Sequence, residues 1–195
     1  MNYLDLKKLK NRLYFDVAEF SQVLGISQAS ARVLCSRYVK KGLFARLKNN
    51  FYVLDEKWDI FQREDFLKIA NFLQVPSYIS FMTALSLYEV TTQIQRDFYE
   101  SVSLKRSKKF NVRGVALNYY KFKKEYYFDF VKKEGIFIAT KEKAFVDSVY
   151  LCSLGRYKLD FDSLDVGKFD KDKIQDIIKI FPERTKNMAG KLCKI

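Results

Sequence analysis

The sequence predicts an α+β protein in two parts. A small basic domain is expected over residues 1–54, a connector over 55–63, and a larger mixed α+β domain over 64–195. Three observations carry this reading. The first 54 residues hold 10 Lys and Arg against 3 Asp and Glu, whereas the remainder holds 26 against 20. Helix-period segments in that first quarter give way to two short strand-like runs. Residues 98–139 then contain a series of β-rich runs with helical patterns on either side.

Taken in order, "YLDLKKLKN" places Leu4, Leu6 and Leu9 at near-helical spacing. "DVAEFSQVLG" starts at Asp16, a good N-cap, and stops at Gly25. "ISQASARVLCSRYVKKG" follows, with Ser27 as N-cap and Gly42 as C-terminal stop. "LFARL" and "FYVL" read as strands flanking the turn "KNN". Helix, helix, three-residue turn, helix and two-stranded hairpin is the order of a winged helix-turn-helix.

The third helix can be tested by geometry. At 100° per residue, Ala31, Leu34, Cys35 and Tyr38 fall on one side, and Ala29, Arg32, Val33, Ser36 and Lys40 on the other, with Gln28 and Arg37 on the flanks. An exposed face of small residues and an arginine fits the DNA major groove, where Arg pairs with guanine and Gln with adenine. This makes Gln28, Ser30, Arg32, Ser36 and Arg37 candidates to lie near bases. Lys40, Lys41, Arg46, Lys48, Asn49 and Asn50 are candidates for phosphates or a minor groove, where they position more than they specify. The alternative is a solvated helix face with ordinary ion-paired arginines.

"DEKWDIFQRED" is polar around Trp58 and Phe61 and reads as a docked connector. "EDFLKIANFL" and "YISFMTALSLYEV" read as helices, separated by Pro76, which pushes Val75 toward extended geometry. "FYESVSL", "VALNYYKF", "YYFDFV" and "IFIAT" read as strands. Helices are expected at 140–154, 170–181 and 184–193.

Composition narrows the chemistry. Hydrophobic residues make up 48% of 195, enough for a packed core. No stretch approaches a membrane helix and the N-terminus lacks an apolar signal core, so a soluble cytoplasmic protein is expected. Cys35, Cys152 and Cys193 are odd in number and far apart, and read as buried hydrophobes. With no histidine, Ser-His-Asp and Cys-His arrangements are excluded and the commonest zinc ligand is absent.

"LDFDSLDVGKFDKDK" offers five aspartates, but as a calcium loop it carries Asp165 where Gly is needed and Lys171 where a bidentate Glu is needed. Asp160 and Asp162 resemble the D-x-D of nucleotidyltransferases, yet no Gly-Ser dipeptide accompanies them. No phosphate loop, dinucleotide fingerprint or Glu-x-Lys occurs either. The sequence reads as a binder, with no enzyme activity, metal or cofactor expected.

Two segments of the second domain stand out. "SLKRSKKFNVR" carries Lys105, Arg106, Lys108, Lys109 and Arg113 without one acid, and can face phosphate, a polar partner or water. "IATKEKAFVDSVYL" places Thr140 as N-cap, Glu142 in the first turn and Lys143 four residues before Asp147. Its apolar residues cover most of the circumference, so a capped helix buried between layers accounts for those charges. Glu142 and Lys143 also stand as candidates for a functional surface.

The ordered set "RVLCSRYVKKGLFARLKNNFYVL", "YISFMTALSLYEVTTQI", "SVSLKRSKK" and "IFIATKEKAFVDSVYL" resembles the AbiEi antitoxins of abortive-infection toxin–antitoxin systems, over roughly residues 16–192. Against that family's Y-I-S-F-W-S-A-L-x-x-Y-G-L, Met82 stands for the aromatic and Glu89 for the glycine. Asn49-Asn50 replace the Arg-Gly usual in the wing turn, and asparagine can adopt left-handed geometry. The pattern I-A-x-x-E-K-A is kept at Ile138, Ala139, Glu142, Lys143 and Ala144, with Asp147 following.

The resemblance implies a bacterial or archaeal cytoplasmic protein with two roles. Its winged helix would bind inverted repeats in the double-stranded DNA of its own promoter and repress transcription. Its C-terminal domain would counter a nucleotidyltransferase-like toxin, with or without a stable complex. The competing expectation is a winged-helix transcription factor whose C-terminal domain senses an effector or partner.

Overall fold

The structure, a computed structural model, describes residues 8–93 and 95–193. The chain is mixed α+β and divides into two compact units, 1–66 and 67–195. Most of the helix expected first lies outside the described residues; its described end, 8–10, is helical and buries Leu9.

In the first unit β1 (Phe15–Asp16) leads into α1 (Val17–Leu24) and α2 (Gln28–Lys40), followed by β2 (Phe44–Lys48) and β3 (Phe51–Leu54). The three strands form an antiparallel sheet in the order β1-β3-β2. Residues 15–16 escape sequence reading because two residues carry no periodicity; their pairing with Phe51 and Tyr52 is entirely non-local.

A reciprocal capping box starts α1. The Asp16 carboxylate accepts from the Glu19 N–H at 2.8 Å, and the Glu19 carboxylate accepts from the Asp16 N–H at 3.1 Å. Gly25 ends α1 in left-handed geometry, φ 62°, where a side chain would be strained. The core is aromatic: Phe44 meets Phe15 at 5.0 Å, Tyr38 at 5.1 Å and Phe20 at 5.4 Å, all edge to face. Ala31 and Cys35 complete it from α2. The segment expected to connect the domains forms α3 (Asp55–Trp58), which packs on β2 and β3 with Trp58 buried. Helix α4 (Arg63–Leu73) follows, and the division between units falls within it.

The second unit is built on a six-stranded mixed sheet in the order β6-β7-β5-β4-β9-β8. Its strands are β4 (Ser77–Ile79), β5 (Phe98–Ser103), β6 (Lys108–Val112), β7 (Val115–Lys121), β8 (Phe130–Lys133) and β9 (Ile136–Ala139). Pairs β4–β9 and β5–β7 are parallel; the rest are antiparallel. Helices α5 (Phe81–Leu87), α6 (Lys141–Ser153), α7 (Lys171–Ile178) and α8 (Glu183–Cys193) complete it. Helix α6 packs against α5, α7, α8 and β9.

Three expectations need correction. Ser77–Ile79 are a strand near the middle of the sheet, not the start of a helix; α5 begins only at Phe81. Lys108–Val112, left out of the expected strands, are the edge strand β6, where lysines discourage pairing with another chain. "YYFDFV" does not form one strand: residues 124–126 make a 3-10 turn and pairing starts at Phe130. Among the described residues no helix is long and apolar enough to cross a membrane.

Candidate nucleic-acid interface

Helix α2 is fixed at its start by Ser27, whose Oγ accepts from the Ser30 N–H at 3.1 Å and lies 3.0 Å from the Ser30 Oγ. Its buried face is Ala31, Cys35 and Tyr38. The opposite face presents Gln28, Ala29, Ser30, Arg32, Val33, Ser36, Arg37 and Lys40 to solvent. This is the division expected from the helical period. Lys41 is also exposed, and Gly42 at φ 69° turns the chain into β2.

The hairpin supplies a second set of cations. Arg46 is exposed and donates from Nη2 to the Asn49 Oδ1 at 2.9 Å, so the turn holds its guanidinium. The Lys48 ammonium sits 4.9 Å from the centre of the Phe51 ring. Asn50 takes left-handed geometry, φ 68°, beside a register shift between Arg46 and Lys48. Asn49-Asn50 therefore closes the turn without glycine.

Tyr52, on β3, is buried in the same unit. Its phenol is pushed up from its ordinary range mainly by burial, and Cys35 adds to this. Arg46 from β2 and Arg32 from α2 both oppose it, so both guanidinium charges reach one hydroxyl. Helix α2 packs against β2, and Arg32 on its outward face and Arg46 on β2 are both exposed. Val33 is 51% exposed between Arg32 and Ser36. The helical period had already turned Val33 outward.

The candidates of the second unit separate into two groups. Lys105, Arg106 and Lys109 are exposed along the β5–β6 connection and edge strand β6, and Lys108 rests 4.1 Å from the Phe110 ring centre. Arg113 lies exposed in the β6–β7 turn. Glu142 and Lys143, in contrast, are buried, 3% and 0% exposed.

Lys143 and Asp147 are each 0% exposed and form an ion pair one helical turn apart. Asp147 accepts from the Tyr78 hydroxyl at 3.0 Å and the Ser80 hydroxyl at 2.8 Å. The Lys143 ammonium donates to the Tyr78 oxygen at 3.0 Å and lies 5.1–5.6 Å from the ring centres of Phe128, Phe181, Phe122 and Tyr78. Burial pulls the lysine down and the aspartate up, and their mutual attraction opposes both shifts. Glu142 accepts from the Asp170 N–H at 3.2 Å and faces Lys173 at 3.6 Å, tying α6 to the start of α7.

The aspartates of 160–172 are local locks. Asp165 accepts from the Gly167 N–H, Asp170 caps α7 through the Lys173 N–H, and Asp160 accepts from the Gln93 amide. Among the described residues no three His, Cys, Asp or Glu side chains gather as a metal site would require.

The chain matches no known family's sequence model, and no curated protein is significantly similar to it.

One further carboxylate escaped sequence reading. Glu100, on β5, is fully buried and accepts from the Tyr157 hydroxyl at 2.8 Å and the Tyr120 hydroxyl at 3.4 Å. Burial pushes it up to about 7, although both tyrosines and the Met82 backbone pull the other way. No sequence signal marks it, because its partners come from β7 and from a loop 57 residues away.

Proposed function

We propose that the protein is a DNA-binding autorepressor and antitoxin. Its N-terminal unit acts as a winged helix-turn-helix on inverted repeats in its own promoter, and its C-terminal unit counters a nucleotidyltransferase-like toxin. The observation that carries the DNA reading is the exposed, cation-bearing face of α2, packed on its other side against a hairpin that carries Arg46 and Lys48. In this reading Gln28, Arg32 and Arg37 approach base edges, with Ser30 and Ser36 beside them. Lys40, Lys41, Arg46 and Lys48 meet phosphate, and Asn49 holds Arg46 in place for that contact.

The antitoxin role rests on the ordered motifs "YISFMTALSLYEVTTQI", "SVSLKRSKK" and "IFIATKEKAFVDSVYL". Two of them meet in one buried network, since Tyr78 and Ser80 of the first hydrogen-bond Asp147 of the third. That network supports a framework role for the motifs. It leaves Lys105, Arg106, Lys108 and Lys109 of the second motif as cations at or near the surface that an antitoxin function could use, with Arg113 exposed in the following turn. A second reading, a transcription factor with an effector-sensing C-terminal unit, is favoured by Glu100, a buried carboxyl that an antitoxin role does not call for.

Two measurements test the proposal. Binding to promoter DNA should weaken roughly tenfold or more for Arg32→Ala while binding to scrambled DNA changes little, because a bidentate base contact is worth ~1–3 kcal/mol. Equal loss on both would remove Arg32 as a base reader. Co-expression with a toxic neighbouring gene should restore growth; a folded protein that leaves growth arrested would sink the antitoxin role and favour the second reading.

A further inference from the structure

One edge of the second unit's sheet carries charge of a single sign. Residues 101–124 hold 8 Lys and Arg and no Asp or Glu. They run through the end of β5 and all of β6 and β7, and the sheet has no strand beyond β6. Lys105, Arg106 and Lys109 are exposed and Lys108 is half-buried. Lys121 of β7 joins them, its N–H donating to the Ser107 Oγ at 2.9 Å. Among the described residues none of these five pairs with a carboxylate.

The backbone of β6 is open along the same edge. The Ala116 N–H points away from β6, onto the Asp97 carbonyl at 2.8 Å, so its register partner Asn111 exchanges no backbone bond with it. Bonded and unbonded pairs alternate along an antiparallel ladder, so Lys109 and Asn111 both turn N–H and C=O outward. Side chains alternate as well: Lys108, Phe110 and Val112 lie on one face of the strand, Lys109 and Asn111 on the other. Cations therefore flank the open edge on both faces.

Such an edge selects its partner. A second copy would set lysine against lysine, whether it presented β6 or the opposite edge strand β8 with Lys132 and Lys133. A phosphate chain supplies acceptors alone and leaves the outward carbonyls facing negative charge. An extended acidic peptide supplies N–H and C=O groups to match the edge, and carboxylates for the lysines.

We propose that β6 takes up an acidic, extended segment of a partner protein as a seventh strand of the sheet. Backbone bonds form at Lys109 and Asn111. Carboxylates on neighbouring residues of the incoming strand meet Lys108 on one face and Lys109 on the other, and an apolar side chain rests beside the half-buried Phe110 ring. Lys105, Arg106 and Lys121 steer the acidic segment to the start of the strand. This docking edge goes beyond the antitoxin reading and does not rest on it.

The test is fluorescence anisotropy of the full chain with the labelled peptides Val-Thr-Val-Glu-Glu-Glu and Glu-Glu-Glu-Val-Thr-Val, which match β6 in antiparallel and parallel pairing. At least one should bind, and its counterpart with Lys for Glu should bind roughly tenfold more weakly or worse. Methylating the peptide's backbone nitrogens keeps its charge, removes its N–H donors and should cost a similar factor. Lys108→Glu with Lys109→Glu should reverse the preference toward the lysine peptide. Asn111→Pro removes an outward N–H and no β6–β7 bond, so it should weaken the acidic peptide with every cation in place. Thermal melts confirm that the variants fold, and the methylated peptide carries the backbone test if Asn111→Pro does not. No binding of either acidic peptide at millimolar concentration would overturn the proposal. So would equal binding of the methylated peptide, or unchanged binding by folded Asn111→Pro. If the double Glu variant weakens binding to scrambled duplex DNA and leaves the acidic peptides unaffected, the patch serves phosphate and the proposal also fails. A chain that binds promoter DNA and restores growth but ignores the peptides loses this proposal alone; one that takes up the peptide without either loses only the earlier reading.

Discussion

Arg32, Glu100 and Lys143 are single residues whose roles follow from what surrounds them. Arg32 is exposed on a helix face whose other side is core, so replacing it should alter recognition and leave folding intact. Glu100 is the reverse, a buried carboxyl whose folded form keeps its proton up to about 7 while the unfolded chain releases it near 4.5. The folded state therefore binds the extra proton between those values, and Glu100's contribution is full below the lower one. Stability should fall as pH rises through that window and level off above it. Glu100→Gln should flatten the profile. The difference in unfolding free energy between wild type and variant, measured with urea at successive pH values, should change by on the order of 3 kcal/mol across the window. A wild type that parallels the variant would place the Glu100 carboxyl in water.

At the scale of elements, capping and turn chemistry hold the proposed DNA surface. Ser27→Ala removes the acceptor for the Ser30 N–H and should cost about 1 kcal/mol in denaturant unfolding, weakening all DNA binding through α2. Asn50 sits at φ 68°, so Asn50→Val should cost roughly 1–2 kcal/mol while Asn50→Gly is tolerated. Helix α6 makes the sharpest element-scale prediction. Asp147→Ala leaves the Lys143 ammonium buried without its counter-charge and should cost roughly 3–5 kcal/mol. The paired change Lys143→Met with Asp147→Leu should cost much less. If the paired variant is stable and still restores growth beside the toxin, these residues serve the framework; stability without rescue would give them a direct role.

Across the whole molecule, charge is distributed unevenly along the chain, and the proposed function depends on that asymmetry. If Lys40, Lys41, Arg46 and Lys48 each neutralise one phosphate, log affinity against log salt should fall with a slope of roughly −4, and Lys40→Ala should reduce it by about one. An unchanged slope would free Lys40 from the interface. The extent to which this was visible in advance differs between the units. The capped starts at Asp16, Ser27 and Thr140, the stop at Gly25 and the outward face of α2 were readable, because each depends on neighbours within one or two helical turns. Strand β4 was not, since three residues between β5 and β9 gain strand character only from partners 59 residues away and 22–26 residues away. Nor was the cationic edge strand β6, whose lysines mask the alternation of Phe110 and Val112. Lys143 and Asp147 could be paired from their spacing, but Tyr78, Phe122, Phe128 and Phe181 close around them only in the folded sheet and helices. The sequence alone determined the basic first quarter, the caps and the helix faces, which are local consequences of residue type and period. Tertiary structure decided the sheet order, the burial of Glu142 and Lys143, and the meeting of Glu100, Tyr120 and Tyr157, because side chains from distant segments converge only when the chain closes a shared core.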